Sequence, residues 1–333
     1  MKTVKGTPKH LSKIGKLNKF TYLMLNLPFS CNYCCKKCFS RNLNKKHSAQ
    51  DDIGLKKRLS LIKEANKLGA KVIVVAGKGE PSINKETKKI VAKANTLGMI
   101  SIIYDNGSVL SKKLLEFYRD NNAVLVISLD SLNPNVYDWL TQTKGNLPKV
   151  LKNIENAVDI YRNTIKTVNG MRILSIAVNT TVSDINEKEI ATIKNYLKKR
   201  FGNDVYFICN PLAKYGSGMK NWKTMIDDKK HARQIALIKK FSETGGPLMR
   251  GSDGICGYST WGIGIDPNGD YMTCAYTVAT NGLLGNVRNT NIAEAFDRKH
   301  SIESKYHNKK QPCLIRSPRF KEYLKELKTT SGR

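Results

Sequence analysis

The amino-acid sequence predicts an α/β protein built on a parallel sheet, and two observations lead to that class. Short apolar runs rich in β-branched residues recur through the first two thirds of the 333-residue chain. Amphipathic stretches with helical periodicity separate these runs. Strands that are buried on both faces and alternate with helices are typical of parallel sheets. The pattern alone leaves a closed barrel, a partly open barrel and a doubly wound sheet as alternatives.

Six segments have the composition of buried strands, namely Tyr22–Leu27, Lys71–Ala76, Ile100–Tyr104, Ala123–Leu129, Ile173–Val178 and Val205–Cys209. Helices are predicted between them, near residues 53–68, 85–97, 111–121, 147–165 and 187–200. The alternation ends after Lys214, and two later helices are expected around residues 228–243 and 319–328.

This pattern divides the chain into four parts. Residues 1–19 form a basic N-terminal extension, and residues 20–215 hold the six strand–helix units. Residues 216–250 are a linker with a helix. From residue 251 to residue 333 the sequence is rich in glycine and aromatic residues, with widely spaced cysteines before the closing helix.

The charge is strongly positive, because 57 lysines and arginines stand against 27 acidic residues and give a formal net charge of +30. Such a surplus is found in proteins that bind nucleic acid or phosphorylated ligands. Here the basic residues are spread along the whole chain, which favours a solvated basic surface. The absence of a long apolar run and of a secretory signal predicts a cytoplasmic protein with no membrane partner.

Four of the eight cysteines lie together in Cys31-Asn-Tyr-Cys34-Cys35-Lys-Lys-Cys38. A four-thiolate zinc site needs two separated pairs that converge on one tetrahedron. Here the pairs abut, and the neighbouring side chains of Cys34 and Cys35 diverge. The other interpretation takes Cys31, Cys35 and Cys38 as CxxxCxxC, in which three thiolates of one loop bind three corners of a [4Fe–4S] cluster.

A CxxxCxxC motif directly after the first predicted strand resembles that of the radical S-adenosylmethionine (SAM) superfamily. The resemblance implies a partial TIM-like (β/α)6 barrel, which agrees with the six predicted strands. It implies that the open iron binds the methionine part of SAM and that one electron, from a donor such as flavodoxin or ferredoxin, cleaves the sulfonium. The resulting 5′-deoxyadenosyl radical would abstract a hydrogen atom from the substrate.

A glycine loop after the second predicted strand matches the same family. Gly77-Lys78-Gly79-Glu80-Pro81 resembles its GGEP motif, with Lys78 inserted or substituted. The resemblance implies that backbone carbonyls of this loop face the methionine ammonium of SAM and that Gly77, Gly79 and Glu80 help to bind SAM. Glycines are needed there because the backbone itself approaches the ligand closely.

Three further positions match the family at the ends of later strands. Asp105-Asn106-Gly107 resembles its TNG turn, and Ser128 begins a segment similar to its SLD motif. Asn179 ends the fifth predicted strand. The resemblance implies that Asn106, Ser128 and Asn179 help to bind SAM, the last two at the ribose.

The cysteine loop also departs from the family pattern. Many members carry an aromatic residue directly before the third cysteine, near the adenine of SAM, whereas this chain has Lys37. Phe39 or Tyr33 would then supply that packing. Cys34, outside the motif, is expected to point away as a small buried residue.

Three later cysteines resemble the SPASM/twitch extension of many radical SAM enzymes. Cys256, a spacer, and then Gly269-x4-Cys274 match its opening, and Cys313 follows. The resemblance implies a second, auxiliary [4Fe–4S] cluster held by Cys256, Cys274 and Cys313. Its fourth position is an open iron, a non-cysteine side chain or Cys209. The alternative is that the three are ordinary buried thiols.

Cys209 ends the sixth predicted strand, at the rim where substrate would bind. In epimerases of this superfamily a thiol returns a hydrogen atom to the substrate radical, so Cys209 is a candidate donor. The alternative, a packed cysteine at a strand end, is favoured.

The expected reaction is oxidation or epimerisation of a small substrate, phosphorylated or of the sugar or nucleoside type. About 19 residues precede the first predicted strand, which favours a small molecule over a peptide, since peptide maturases often carry a recognition domain there. Two alternatives stay open. One is radical maturation of a peptide or protein, and the more distant one is a zinc-containing nucleic-acid-binding protein.

Overall fold

The structure, a computed structural model, describes residues 1–41, 51–243, 256–274, 282–306, 314 and 319–330. Its strands in chain order are β1 (Lys2–Val4), β2 (Tyr22–Ser30), β3 (Val72–Gly79), β4 (Ile100–Asp105), β5 (Ala123–Ser128), β6 (Lys166–Val168), β7 (Met171–Leu174), β8 (Ile176–Val182), β9 (Tyr206–Pro211), β10 (Gly262–Ile265) and β11 (Tyr271–Met272).

The α-helices in chain order are α1 (Pro8–Lys13), α2 (Gly54–Lys67), α3 (Thr87–Thr96), α4 (Lys112–Asp120), α5 (Pro134–Thr141), α6 (Leu147–Tyr161), α7 (Ile190–Phe201), α8 (Gly216–Lys220), α9 (Trp222–Met225), α10 (His231–Phe241), α11 (Gly257–Trp261), α12 (Ile292–Glu303) and α13 (Phe320–Thr330). Those predicted between strands are present within a few residues of the expected bounds. Helix α5 was not predicted. Its entry is fixed by the Asn133 side chain, which caps the first turn, and by Pro134 at the first helical position.

The α/β class is confirmed, because eight strands form one sheet in the order β11-β10-β2-β3-β4-β5-β8-β9. All neighbours pair in parallel except β10 and β11, which form a hairpin. Among the described residues β11 and β9 are the two edges, so the sheet is open rather than a closed barrel. Parallel pairing places the carboxyl ends of the strands at one edge, where barrel enzymes of this kind build their sites.

One predicted strand is in fact two. Ile173–Val178 divides between β7 and β8, with Ser175 at the break. Strand β7 leaves the main sheet and pairs with β1 and β6 in a separate three-stranded sheet. A continuous apolar run cannot reveal this division, because both pieces are buried.

The first 19 residues, expected only as a basic extension, form β1 and α1. Val4 and Leu11 are buried in the same cluster as Val74 and Ile102 of the main sheet. The hydroxyl of Tyr22 donates a hydrogen bond of 3.0 Å to the carbonyl of Gly6. The N-terminal segment therefore packs against the face of the sheet that carries Tyr22, Val74 and Ile102, called the concave side below.

Most helices cover the opposite face of the sheet in two groups. One core joins β4, β5, β8 and β9 to helices α4–α7, and the other joins β2, β3 and β10 to α2, α3, α12 and α13. The C-terminal region thus shares a hydrophobic core with the first strands. In the described part of the chain, no helix has the length and apolarity to cross a membrane.

Candidate functional site

The cysteine loop begins directly after β2, at the carboxyl edge of the sheet. Cys31, Cys35 and Cys38 are half-buried, whereas Cys34 is exposed. Cys34, which was expected to be a small buried residue, is exposed to solvent instead. The Cys34 backbone N–H donates to the carbonyl of the buried Thr141, the last residue of α5.

The loop is held on both sides by backbone hydrogen bonds. The Lys36 N–H donates to the carbonyl of Leu140 at 2.9 Å, and the Ser217 N–H of α8 donates to the carbonyl of Cys38 at 2.8 Å. The Asn32 side chain donates to the hydroxyl of Ser108 at 2.8 Å. Three elements that are remote in sequence therefore fix the path of the loop.

The three half-buried thiols influence one another. Burial, the largest cause, raises the pKa of Cys31 to about 11, and the neighbouring Glu80 and Cys38 contribute. Burial likewise raises the pKa of Cys35, to which Cys38 and Cys31 add, while Lys37 opposes the shift. Thiols in such surroundings become thiolates when a metal binds them, because the metal supplies the compensating positive charge.

In the described residues, no three His, Cys, Asp or Glu side chains are arranged to hold a single metal ion. A [4Fe–4S] cluster binds each of its cysteines through a different iron, and the three thiols of the motif lie on one loop.

The glycine loop lies beside the cysteine loop, at the carboxyl end of β3. Ser30 pairs with Gly79, and the Glu80 N–H donates to the carbonyl of Ser30 at 2.7 Å. A Cβ at Gly79 would overlap the backbone of Ser30, and φ is +135° at Gly79 and +150° at Gly77. These conformations require glycine. The loop lines a cleft of about 160 Å³, part of it open solvent, together with Leu27, Pro28 and Asn84.

Glu80 is buried, and its side chain fixes the glycine loop through hydrogen bonds. Its carboxylate accepts hydrogen bonds from the backbone N–H groups of Ser82 at 3.1 Å and Asn106 at 2.8 Å. Burial, followed by the adjacent Asp105, raises the pKa of Glu80 well above its ordinary range. The Asn106 side chain donates to Asn32 at 2.9 Å. Glu80 and Asn106 therefore connect the glycine loop to the cysteine loop.

Polar side chains lie on the concave side of several strands, and Asn179, expected at a strand end, lies in the middle of β8. Ser128 pairs with Asn179 in register, and the Asn210 side chain donates to Asn179 Oδ1 at 2.6 Å. Asn26 of β2 is buried, and its Oδ1 accepts no hydrogen bond from the described residues. Sequence reasoning missed Asn26 and Asn210. The period-two alternation within β2 and β9 could have placed them on this face.

Lys37, at the position where many relatives have an aromatic residue, forms an ion pair with the buried Asp130. Asp130 also accepts from the Thr181 N–H at 2.8 Å. Of the two expected aromatic substitutes, Tyr33 packs into the helix-facing core, while Phe39 packs with the concave-side cluster and lies next to Gly77. Phe39 is thus the aromatic residue beside the glycine loop.

Cys209 does not face the site. It is fully buried in the cluster that contains Ile193 of α7 and Ile238 of α10, on the helix side of β9. Its N–H donates to the Ser242 hydroxyl at 3.1 Å, and burial raises its pKa to about 12. This placement favours the packed cysteine over the hydrogen-atom donor.

The later cysteines lie around the hairpin of β10 and β11. Cys256 is the residue before α11, which leads into β10, and the buried Cys274 follows β11 by two residues. Both lie towards the amino-terminal end of β10, whereas the CxxxCxxC loop follows the carboxyl end of β2. Cys313 lies outside the described residues. Cys209, on the opposite edge strand and facing α7 and α10, is not grouped with them.

A buried ion pair that the sequence did not predict joins the glycine loop to the C-terminal region. Lys78 Nζ lies 2.5 Å from Asp266 Oδ2. The two residues are 188 positions apart, so no local pattern could have paired them.

Comparison with known proteins agrees with this geometry. Residues 25–185 match the radical SAM superfamily. This range of the chain belongs to the radical SAM superfamily. Membership implies SAM and a [4Fe–4S] cluster as cofactors, and the matched range contains the CxxxCxxC loop, the glycine loop and the ends of β4, β5 and β8.

Three curated relatives are similar over part of their length. Fe-coproporphyrin III synthase of Methanosarcina barkeri is 23% identical over 246 residues, 73% of this chain and 57% of that protein. Mitochondrial GTP 3′,8-cyclase of Arabidopsis thaliana is 30% identical over 47% of this chain and 40% of that protein. S-adenosylmethionine-dependent nucleotide dehydratase of Flammeovirga pacifica is 29% identical over 48% and 52%. The chain spans about half the length of these relatives.

Solved structures of one protein show the same fold. Streptococcus suis SuiB bound to SAM has a TM-score of 0.60 at 15% identity, over 93% of this chain and 78% of that one. SuiB bound to the precursor peptide SuiA has a TM-score of 0.59 at 14% identity, over 87% and 68%. At such identity the likeness concerns the fold alone.

The buried position of Cys209 leads to a testable expectation. Cys209→Ala should still cleave SAM and give the wild-type product, and should lower the free energy of unfolding by about 1 kcal/mol through loss of packing. Product analysis and denaturant unfolding measure the two effects. An altered or unquenched product from the variant would restore the hydrogen-donor role.

Proposed function

We propose that Cys31, Cys35 and Cys38 hold the [4Fe–4S] cluster at which the enzyme cleaves SAM. The observation that carries this proposal is the adjacency of the cysteine loop and the glycine loop, joined by the pairing of Ser30 with Gly79. When bound, the cluster and SAM supply one-electron cleavage and a 5′-deoxyadenosyl radical. The residues of the chain bind and orient these groups and shape the place where the substrate lies.

The residues beside the thiols fit SAM as a ligand. Gly77 and Gly79 have no side chains, so their backbone lines the cleft. The carbonyl groups of this backbone would accept hydrogen bonds from the methionine ammonium of SAM. Phe39 offers an aromatic surface next to Gly77. Ser128 and Asn179 provide hydroxyl and amide groups for the ribose. Asn26 adds a buried acceptor that no described residue uses.

Glu80 and Asn106 act by positioning rather than by touching the cofactor. Glu80 accepts two backbone N–H groups and so fixes the turn after the glycine loop to the turn that contains Asn106. Asn106 in turn holds Asn32, inside the cysteine loop. The arrangement keeps the cluster ligands and the SAM loop at a constant separation.

We infer that the substrate is a small polar molecule of the sugar or nucleotide type, from which a hydrogen atom is abstracted in an oxidation or epimerisation. Amide and hydroxyl side chains lie on the concave face of several strands. Two of the relatives carry names that specify GTP or a nucleotide. The lysines of the site do not argue for a phosphate by themselves, because Lys37 and Lys78 are each paired with a buried aspartate.

Maturation of a peptide is the second candidate. The observation that favours it is the likeness in fold to SuiB, which has been solved with its precursor peptide. The concave side of the sheet in this chain is packed by its own residues Lys2–Lys13 at one end, so either kind of substrate would have to enter from the carboxyl edge.

An auxiliary [4Fe–4S] cluster at Cys256, Cys274 and Cys313 remains part of the proposal. The hairpin that brings Cys256 and Cys274 to one end of β10 supports it. An electron donor such as flavodoxin or ferredoxin would reduce the clusters, and the basic surface suits an acidic protein of that kind. The observation that would favour binding to nucleic acid is the net charge of +30.

The cysteine assignment is tested by single alanine variants. Replacing Cys31, Cys35 or Cys38 should abolish formation of 5′-deoxyadenosine from SAM by the reduced, reconstituted enzyme. Cys34→Ala is the matched control in the same loop and should retain activity, because that side chain points into solvent. Full activity in any of the three variants, or loss in the control alone, would contradict the assignment.

The substrate class is tested with deuterated compounds. Nucleotides or nucleotide sugars deuterated on the sugar carbons should accelerate SAM cleavage and transfer deuterium to 5′-deoxyadenosine, as measured by mass spectrometry. A peptide encoded beside this chain, deuterated at its α-carbons, is the comparison. Transfer from the peptide and none from the nucleotides would replace the first candidate by the second.

A further inference from the structure

The ion pair between Lys78 and Asp266 has surroundings that set it apart from the surface pairs of this protein. The Lys78 side chain is 11% exposed and that of Asp266 is 1% exposed. Asn26 Nδ2 lies 3.4 Å from the other carboxylate oxygen of Asp266. Lys78 also lines the cleft of the glycine loop.

Lys78 lies between Gly77 and Gly79, and of these three residues it alone has a side chain. A segment with two glycines has more accessible backbone conformations than a segment without glycine, so its path must be fixed by contacts. Gly79 is fixed against the backbone of Ser30. Gly77 pairs in register with Asn26 of β2, and the side chain of Lys78 adds a further contact, the ion pair with Asp266.

Asp266 is itself held firmly by the C-terminal region. It follows β10, which pairs in parallel with β2. Its N–H donates to the carbonyl of Asp270 and its carbonyl accepts from the Gly269 N–H, both at 2.9 Å. The next residue, Pro267, accepts a hydrogen bond of 3.0 Å from the Ile53 N–H. The turn is thus anchored both within the hairpin and to the start of α2.

We propose that Asp266 is a positioning residue for SAM, which acts by holding Lys78 and thereby the backbone of the glycine loop. The affinity for SAM then depends on the Asp266 carboxylate, although Asp266 lies outside the matched radical SAM range. This inference rests on the proposed role of the glycine loop in binding SAM.

The energetics of buried charges support a role for the pair as a unit. A buried ion pair adds little net stability, but removal of one partner leaves an uncompensated buried charge and is strongly unfavourable. With Asp266 neutralised, the Lys78 ammonium would move towards solvent and take the loop with it. With both charges removed, no unpaired charge is left in the interior. Packing then keeps the loop closer to its original position than in either single variant.

The test is a double-mutant cycle on the reconstituted, full-length holoenzyme, with Asp266→Asn, Lys78→Met and the double variant. The dissociation constant for SAM is measured by equilibrium dialysis, alongside iron content and the thermal midpoint. Each single variant should raise Kd by about tenfold or more, in line with the cost of breaking a buried pair. The double variant should raise it by much less than the product of the two.

The matched control is Asp270→Asn. Asp270 lies in the same turn and accepts from Asn268 and Asn286, without contact to Lys78. This variant should leave the Kd for SAM within about twofold even where its thermal midpoint falls, as expected for a purely structural site.

Three results would overturn the inference: an unchanged Kd in both single variants, single effects that simply multiply in the double variant, or an equal rise in Asp270→Asn. If Asp266→Asn does not fold, Lys78→Met alone must still raise Kd. Failure of the proposed function is a separate outcome, recognised by wild-type enzyme that neither binds SAM nor forms 5′-deoxyadenosine.

Discussion

The backbone contact between the end of β2 and the glycine loop of β3 is the constraint on which the site depends. Ser30 and Gly79 approach so closely that any side chain at position 79 would overlap the Ser30 backbone, and the Glu80 N–H closes the contact. Because the cysteine loop starts at the next residue, Cys31, this single pairing brings the thiols to the loop that would receive SAM. Parallel pairing of the other strands then delivers Ser128 and Asn179 to the same edge.

The hydrogen bonds of the site form a continuous chain around this contact. Glu80 fixes the turn of Asn106, Asn106 fixes Asn32, and Asn32 lies between the first two thiols of the motif. Ser217 of α8 supports the other end of the loop. Each lysine of the site, Lys37 and Lys78, is paired with a buried aspartate.

Much of this arrangement could be predicted from the sequence, because it rests on local patterns. Buried strands are short apolar runs, and the CxxxCxxC and Gly-Lys-Gly-Glu-Pro segments are contiguous. The division of Ile173–Val178, the packing of β1 against the concave face and the pairing of Lys78 with Asp266 could not. Each depends on which distant segment lies opposite, and burial conceals the difference in the sequence. Cys34 was expected to be buried because cysteine usually is, but it is exposed.

The central claim is that the CxxxCxxC loop holds an iron–sulfur cluster apart from the C-terminal cysteines. Iron, acid-labile sulfide and zinc per chain, counted after anaerobic reconstitution of the wild type and of a Cys31/Cys35/Cys38→Ala triple variant, test it most directly. We expect about eight irons in the wild type and about four in the triple variant, with little zinc in either. Iron that is unchanged by the triple replacement, or stoichiometric zinc in its place, would contradict the account.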